Sequence, residues 1–143
     1  MICFFDTSAL IKKYITEKGS ELVKHHFTQS TTIAVSSTTK IECFSVINRM
    51  LENLEITADE AADLQNQVGD DFFLFEVVPF SDSLEKVAID MIKKYQLRTL
   101  DAIQLASALS VYKLQYFIVS DVKLKTSGKA EGLIIIDPNE TQL

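Results

Sequence analysis

The sequence predicts an α/β protein: a three-layer α/β/α sandwich around a central, mainly parallel sheet. Three observations carry this. Five short runs are rich in β-branched and aromatic residues, which favours strand over helix at such lengths. Those runs are almost continuously apolar rather than alternating, the pattern of strands covered on both faces. Longer segments with helical spacing separate most of them, as right-handed crossovers between parallel strands require. With 143 residues, against about 150 for a typical domain, the chain is expected to form one domain spanning residues 1–143.

The elements follow in order. Ile2–Phe5 reads as the first strand, followed by helices over Ser8–Ile15 and Ser20–Phe27, the second entered through Gly19. Thr32–Ser36 is the second strand. Thr39–Leu54 then carries Ile41, Phe44, Ile47 and Leu51 at helical spacing. Thr57–Phe73 opens with a T-x-x-E capping box, Thr57 to Glu60. Glu76–Pro79 is the third strand. Ser83–Tyr95 follows, with Leu84, Ala88, Met91 and Tyr95 on one face and its charges elsewhere. Asp101–Tyr112 is apolar on nearly all sides, the mark of a helix buried within the fold. Tyr116–Ser120 and Leu133–Ile136 complete the strands. The polar tail Asp137–Leu143 is expected to fray.

Composition narrows the functional classes. Hydrophobic residues make up 47% and charged residues 24% of the chain, enough for a packed core. The 14 Lys+Arg against 20 Asp+Glu leave a net charge of −6. That argues against holding nucleic acid by bulk basic charge, though a local basic strip is compatible with it. Cys3 and Cys43 lie in apolar surroundings and read as buried, reduced thiols. The opening MICFFD lacks a basic n-region, and no uncharged stretch reaches the roughly 20 residues of a membrane span. No glycine pattern approaches G-x-G-x-x-G or a P-loop. A soluble cytoplasmic domain is the expectation, with no membrane partner.

Four acids fall where such a fold places function. Asp6 follows the first strand and Asp121 the fourth, at the strand-to-helix turns outside the carboxyl ends of an open sheet. Asp101 opens the buried helix, and Glu42 lies in the first turn after the second strand. Each has a plain structural role available. Asp6 suits a helix cap, Asp101 the helix dipole, Asp121 a turn, and Glu42 a capping box with Thr39. Together, however, four carboxylates at one end of a sheet repel unless a cation offsets them. Hard divalent ions such as Mg²⁺ and Mn²⁺ take carboxylate oxygens, keep several waters and recruit phosphates, which suggests phosphoryl chemistry.

The stretches F-D-T-S-A-L-I-K-K-Y (Phe5–Tyr14), I-E (Ile41–Glu42), L-R-T-L-D-A-I-Q-L-A-S-A-L (Leu97–Leu109) and F-I-V-S-D-V-K-L (Phe117–Leu124) resemble PIN domains. The likeness is to the VapC-type toxin ribonucleases of type II toxin–antitoxin systems. It implies a PIN-like sandwich and a metal-dependent endoribonuclease using one or two Mg²⁺ or Mn²⁺ ions. The family's acids fall on Asp6, Glu42, Asp101 and Asp121, and its metal-site hydroxyl falls on Ser8. An antitoxin partner and a homodimer are implied as well. The chain departs from the pattern at Val119, where relatives often carry Thr.

Around these acids, Lys12, Lys13, Lys40, Arg98, Lys123 and Lys125 offer cations for RNA phosphates, with Arg98 and Lys12 as the chosen substrate-binding residues. The adjacent His25 and His26 point to different helix faces and do not suit a metal. Cys43 lacks a His partner, and Phe72, Phe73 and Phe75 suit a core or dimer surface. Two other readings stand beside the nuclease. A Mg²⁺-dependent phosphotransfer domain would want D-x-D or paired acids after the first strand, where this chain has Asp6 and Ser8. A non-catalytic PIN-fold module binding RNA or protein would not need all four acids.

Overall fold

The computed structural model describes residues 1–140, and its architecture is the expected sandwich. Five strands form one all-parallel sheet: β1 (Ile2–Phe5), β2 (Thr32–Ser36), β3 (Glu76–Val78), β4 (Tyr116–Ile118) and β5 (Ile135–Ile136). Their spatial order is β3-β2-β1-β4-β5, with Cys3 opposite Ile33 on one side and Tyr116 on the other. The chain builds outward from β1 in one direction, then returns to build β4 and β5 in the other. The reversal lies between β1 and β4, and crevices at the carboxyl ends of such strands are where open α/β sheets bind ligands.

Seven helices cover the sheet among the described residues: α1 (Thr7–Tyr14), α2 (Ser20–Gln29), α3 (Thr39–Glu52), α4 (Ala58–Phe72), α5 (Asp82–Tyr95), α6 (Thr99–Ser110) and α7 (Val122–Ala130). The alternation of β1 divides the core in two. Cys3 and Phe5 pack beneath α1 to α4 with Leu10, Val23, Ile47 and Val68. Phe4 faces the opposite layer, against Leu105, Phe117 and Leu124 of α6, β4 and α7, with Phe117 edge-on at 5.7 Å. Both faces of the central strand are thus dry, which is why its sequence is apolar without interruption. The predicted capping box at Thr57 and Glu60 is formed in full.

Two expectations are corrected. Helix α7 was not predicted, because V-K-L-K-T-S-G-K-A carries no apolar stripe; it is held by Leu124 below and the Asp121 cap at its start. The start of the polar tail does not fray. Asp137 is buried and accepts from Lys125 Nζ at 2.8 Å, and Lys125 also reaches Glu140. Pro138 lies against Gly19, so the end of the described chain is fastened to the entrance of α2. Residues 141–143 of that tail lie outside the described residues. No helix among the described residues is long and apolar enough to cross a membrane.

Gly19 has a φ of +89°, and an added Cβ would sit 2.8 Å from Pro138. Gly19→Ala therefore combines left-handed strain with a clash, and is expected to cost about 2–4 kcal/mol. Gly69, inside α4 with open space around its Cα, is the contrast. Gly69→Ala should stabilise by about 0.5–1 kcal/mol. Urea unfolding of both variants checks the pair; equal midpoints would refute the packing of Pro138 on Gly19.

Candidate active site

Asp6 stands at the first position past β1, its backbone N–H donating to the Ile118 carbonyl of β4 at 3.0 Å. It is the N-cap of α1, accepting at Oδ2 from the Ser8 N–H at 3.1 Å and from the Ser8 hydroxyl. Ser8 Oγ in turn accepts from the Ser120 N–H at 3.1 Å, which ties the turn after β1 to the turn after β4. One oxygen of Asp6 is thus held by protein donors, and no hydrogen bond among the described residues uses the other. The carboxyl is only 4% exposed. Burial in the first place, then the charges of Glu42 and Asp101, raises its pKa to about 7 against the lowering effect of the Ser8 bonds.

Glu42 shows the same arrangement. Its Oε1 accepts from Thr7 Oγ1 at 3.0 Å, Thr38 Oγ1 at 3.3 Å and Gln104 Nε2 at 2.9 Å. The capping box with Thr39, the structural alternative for Glu42, is not formed. Helix α3 begins one residue earlier than that reading needs, with Thr38 as N-cap and no side-chain cap bond. Thr39 is buried and accepts from Gln104 at 3.0 Å instead. Glu42 is therefore tied to its helix end only through the Thr38 hydroxyl, not through a capping box.

Asp101, in the first turn of α6, is half-buried, and no side-chain hydrogen bond is made to it among the described residues. Burial raises its pKa, followed by the charges of Asp121 and Glu42, while Arg98 and Lys123 pull it down. Asp121 is exposed and caps α7 through Leu124 N–H at 2.9 Å, so it combines a structural duty with proximity to Asp101. Asp6 feels the charges of Glu42 and Asp101, and Asp101 those of Asp121 and Glu42. Val119 is buried in the apolar core.

Sequence reasoning missed Thr7 and Gln104. Both are buried, and Gln104 Nε2 reaches Thr7 Oγ1, Thr39 Oγ1 and Glu42 Oε1, all within 3.0 Å. Gln104 Oε1 is buried with no hydrogen-bond partner among the described residues. The available signal was a lone amide in the otherwise apolar face of α6.

The basic residues divide. Lys12 is 6% exposed and its ammonium bonds Glu17 at 2.9 Å, a tie within the fold. Lys13 is held by Asp71 and lies over the Phe27 ring, and Lys125 is held by Asp137. Arg98 and Lys123, both exposed, are the cations coupled to Asp101. Cys43 is buried, its thiol pushed up to about 12 by burial and by Glu42 and Asp6, which disqualifies it as a nucleophile. Cys3 and Cys43 are both free thiols, as expected.

Among the described residues, no three acid, His or Cys side chains converge into a ready-made metal cage. The donor chemistry nevertheless fits a hard divalent cation that keeps part of its water. Every donor is an oxygen, Asp6 and Glu42 have no ion-pair partner among the described residues, and each has an oxygen free of protein hydrogen bonds. Asp6 in particular is a buried acid that disfavours its own charge until something positive arrives.

The linkage for Asp6 has an unusual sign. A carboxyl whose folded pKa lies above its model value of 3.8 binds its proton more tightly in the folded state. Its penalty is absent below about pH 4 and grows as pH rises towards about 7. In chelator-treated protein, Asp6→Asn should match the parent melting temperature near pH 4. It should exceed it increasingly up to about pH 7 and hold a constant margin above. A margin independent of pH would show that Asp6 is not held in its proton-bound form.

Comparison with known proteins agrees with this geometry. The family model for the PIN domain matches residues 3–121. Ribonuclease VapC45 of Mycobacterium tuberculosis is 28% identical over 132 residues, covering 92% of each chain. The crystal structure of FitAcB from Neisseria gonorrhoeae superposes with a TM-score of 0.74 at 15% identity, over 99% of this chain and 100% of the other. A toxin–antitoxin complex from Klebsiella pneumoniae gives 0.68 at 18% identity, over 97% and 99%. With a family model matched from β1 to the cap of α7, and the same fold in the solved neighbours, the chain belongs to the PIN domain family.

Proposed function

We propose that the chain is a metal-dependent endoribonuclease and the toxin of a toxin–antitoxin pair. The observation that carries the reading is Asp6: a buried carboxylate at the sheet's reversal point, coupled to Glu42 and Asp101, with one oxygen uncommitted. The name of the Mycobacterium tuberculosis relative, a ribonuclease, supports the substrate class. A phosphotransfer domain is disfavoured by Ser8, whose hydroxyl holds Asp6 where a second acid would be needed.

Asp6, Asp101, Asp121 and Glu42 are the residues that would hold one or two Mg²⁺ or Mn²⁺ ions. Such an ion supplies Lewis acidity, lowering the pKa of a water and offsetting charge that develops on phosphate oxygens. The protein's part is to keep those carboxylates aimed. Ser8 fixes Asp6 through one oxygen, and Thr7, Thr38 and Gln104 fix Glu42 likewise. Arg98 and Lys123 stand beside Asp101 and would grip the phosphates flanking the scissile bond, giving a local positive rim to a protein of net charge −6. Water attack on the phosphodiester would leave a 5′-phosphate and a free 3′-hydroxyl. An antitoxin protein and a second copy of the chain are the partners proposed, and the cytoplasm its place of action. The toxin–antitoxin complex from Klebsiella pneumoniae, which shares this fold, is consistent with the first.

RNA incubated with the purified chain should be cut with Mn²⁺ or Mg²⁺ and left whole with EDTA. Asp6→Asn and Asp101→Asn should each lower cleavage at least about 100-fold while remaining folded. Binding of RNA without cleavage under every metal condition would favour the non-catalytic module. Arg98→Ala should raise KM for RNA more than it lowers kcat.

Saturating Mn²⁺ should also stabilise the folded chain. An ion at 100 times its Kd contributes about 2.7 kcal/mol, equivalent to a melting shift of roughly 5–10 °C. Coincident melts in EDTA and Mn²⁺ would count against a shared acid site.

A further inference from the structure

A carboxylate serves a cation well only if its free oxygen is held in one direction, because an unfixed glutamate loses rotamer freedom on binding. Glu42 meets this condition in an asymmetric way. Three donors converge on Oε1, and no hydrogen bond among the described residues uses Oε2. Two of the donors, Thr7 and Thr38, are hydroxyls free to turn towards other acceptors. The third, Gln104 Nε2, is a rigid amide on a residue 1% exposed, and it comes from α6 on the other side of the sheet.

The same nitrogen also meets Thr7 and Thr39, two neighbours of Glu42 on α1 and α3, so it holds the surroundings of the carboxylate as well. Its carbonyl oxygen is buried without a partner among the described residues. An amide kept only as a structural bridge would be expected to pair both ends. Here the donor end has three acceptors within 3.0 Å of its two N–H groups, and the acceptor end has no partner among the described residues. The residue is placed for what its N–H groups do to Glu42.

We infer that Gln104 is the positioning residue of the site: it commits Glu42 Oε1 to the protein and leaves Oε2 for the divalent ion or its water. This rests on the reading of Glu42 as part of the metal site. Gln104→Met keeps the length and removes both the donor and the unpaired carbonyl, so the fold should tolerate it.

The test is Mn²⁺ affinity, measured by titration calorimetry on chelator-stripped protein for the parent, Gln104→Met, Glu42→Gln and the double variant. Gln104→Met should weaken Mn²⁺ binding about 10–100-fold. It should lower kcat at saturating Mn²⁺ while KM for RNA stays as in the parent. In the Glu42→Gln background it should add nothing, because both changes act through one oxygen. A merely structural Gln104 would leave Mn²⁺ affinity untouched, or lower it equally in both backgrounds; either result overturns the proposal. If Glu42→Gln itself leaves Mn²⁺ affinity intact while Asp6→Asn abolishes it, the role of Glu42 fails and the positioning role with it, but the metal site stands. Should Gln104→Met not fold, Thr7→Val removes another donor to the same oxygen and is judged by the same three criteria.

Discussion

The structure turns on one costly placement, a carboxylate set where the sheet reverses and water is nearly excluded. Asp6 stands one residue past a strand whose three preceding side chains are fully buried, so it inherits their dry surroundings. Everything nearby answers that constraint. Ser8 supplies two donors, the turn after β4 is bonded back to Ser8, and Asp6 itself starts α1. Structural demand is met through one oxygen, which leaves the other to chemistry. Glu42 repeats the scheme with hydroxyls and an amide in place of a serine. A site assembled this way has one oxygen of each carboxylate held by protein donors before any ligand arrives, which is what preorganised electrostatics require.

Much of this was legible in the sequence, because burial on two faces leaves an unmistakable mark. Uninterrupted runs such as I-C-F-F and T-I-A-V-S announced the strands, and the acids after them announced the crevice. What stayed hidden was held by tertiary contact rather than local pattern. Helix α7 is polar along most of its length and exists because Leu124 is buried and Asp121 caps it. T-K-I-E looked like a capping box, yet Glu42 found stronger donors on α1 and α6 than its own helix offered. Lys12 looked like a cation for phosphates, but its side chain is buried and its ammonium bonds Glu17. No spacing rule reports that Thr7 and Gln104, far apart in sequence, meet at one carboxylate.

The charge pattern also becomes intelligible at the level of geometry. A net charge of −6 would keep a polyanion away if it were spread evenly. Instead, several lysines are consumed in fastening the scaffold: Lys12 to Glu17, Lys13 to Asp71, Lys125 to Asp137. Arg98 and Lys123 are the cations whose charges act on Asp101, and Lys123 also donates to the Gln96 carbonyl at 2.5 Å.

The position of β1 in the middle of the sheet has a consequence for biosynthesis. Cys3 pairs with Tyr116, made long after it, and Asp6 receives its neighbour Ser120 through Ser8. A ribosome adding roughly 5–20 residues per second needs on the order of ten seconds to span that interval. Through most of it, the nascent chain holds Asp6 without Gln104, Asp101 or Asp121 beside it. The crevice closes only after Asp121 has been made, so Asp6 is the first of the four acids to appear and the one that waits longest for its neighbours.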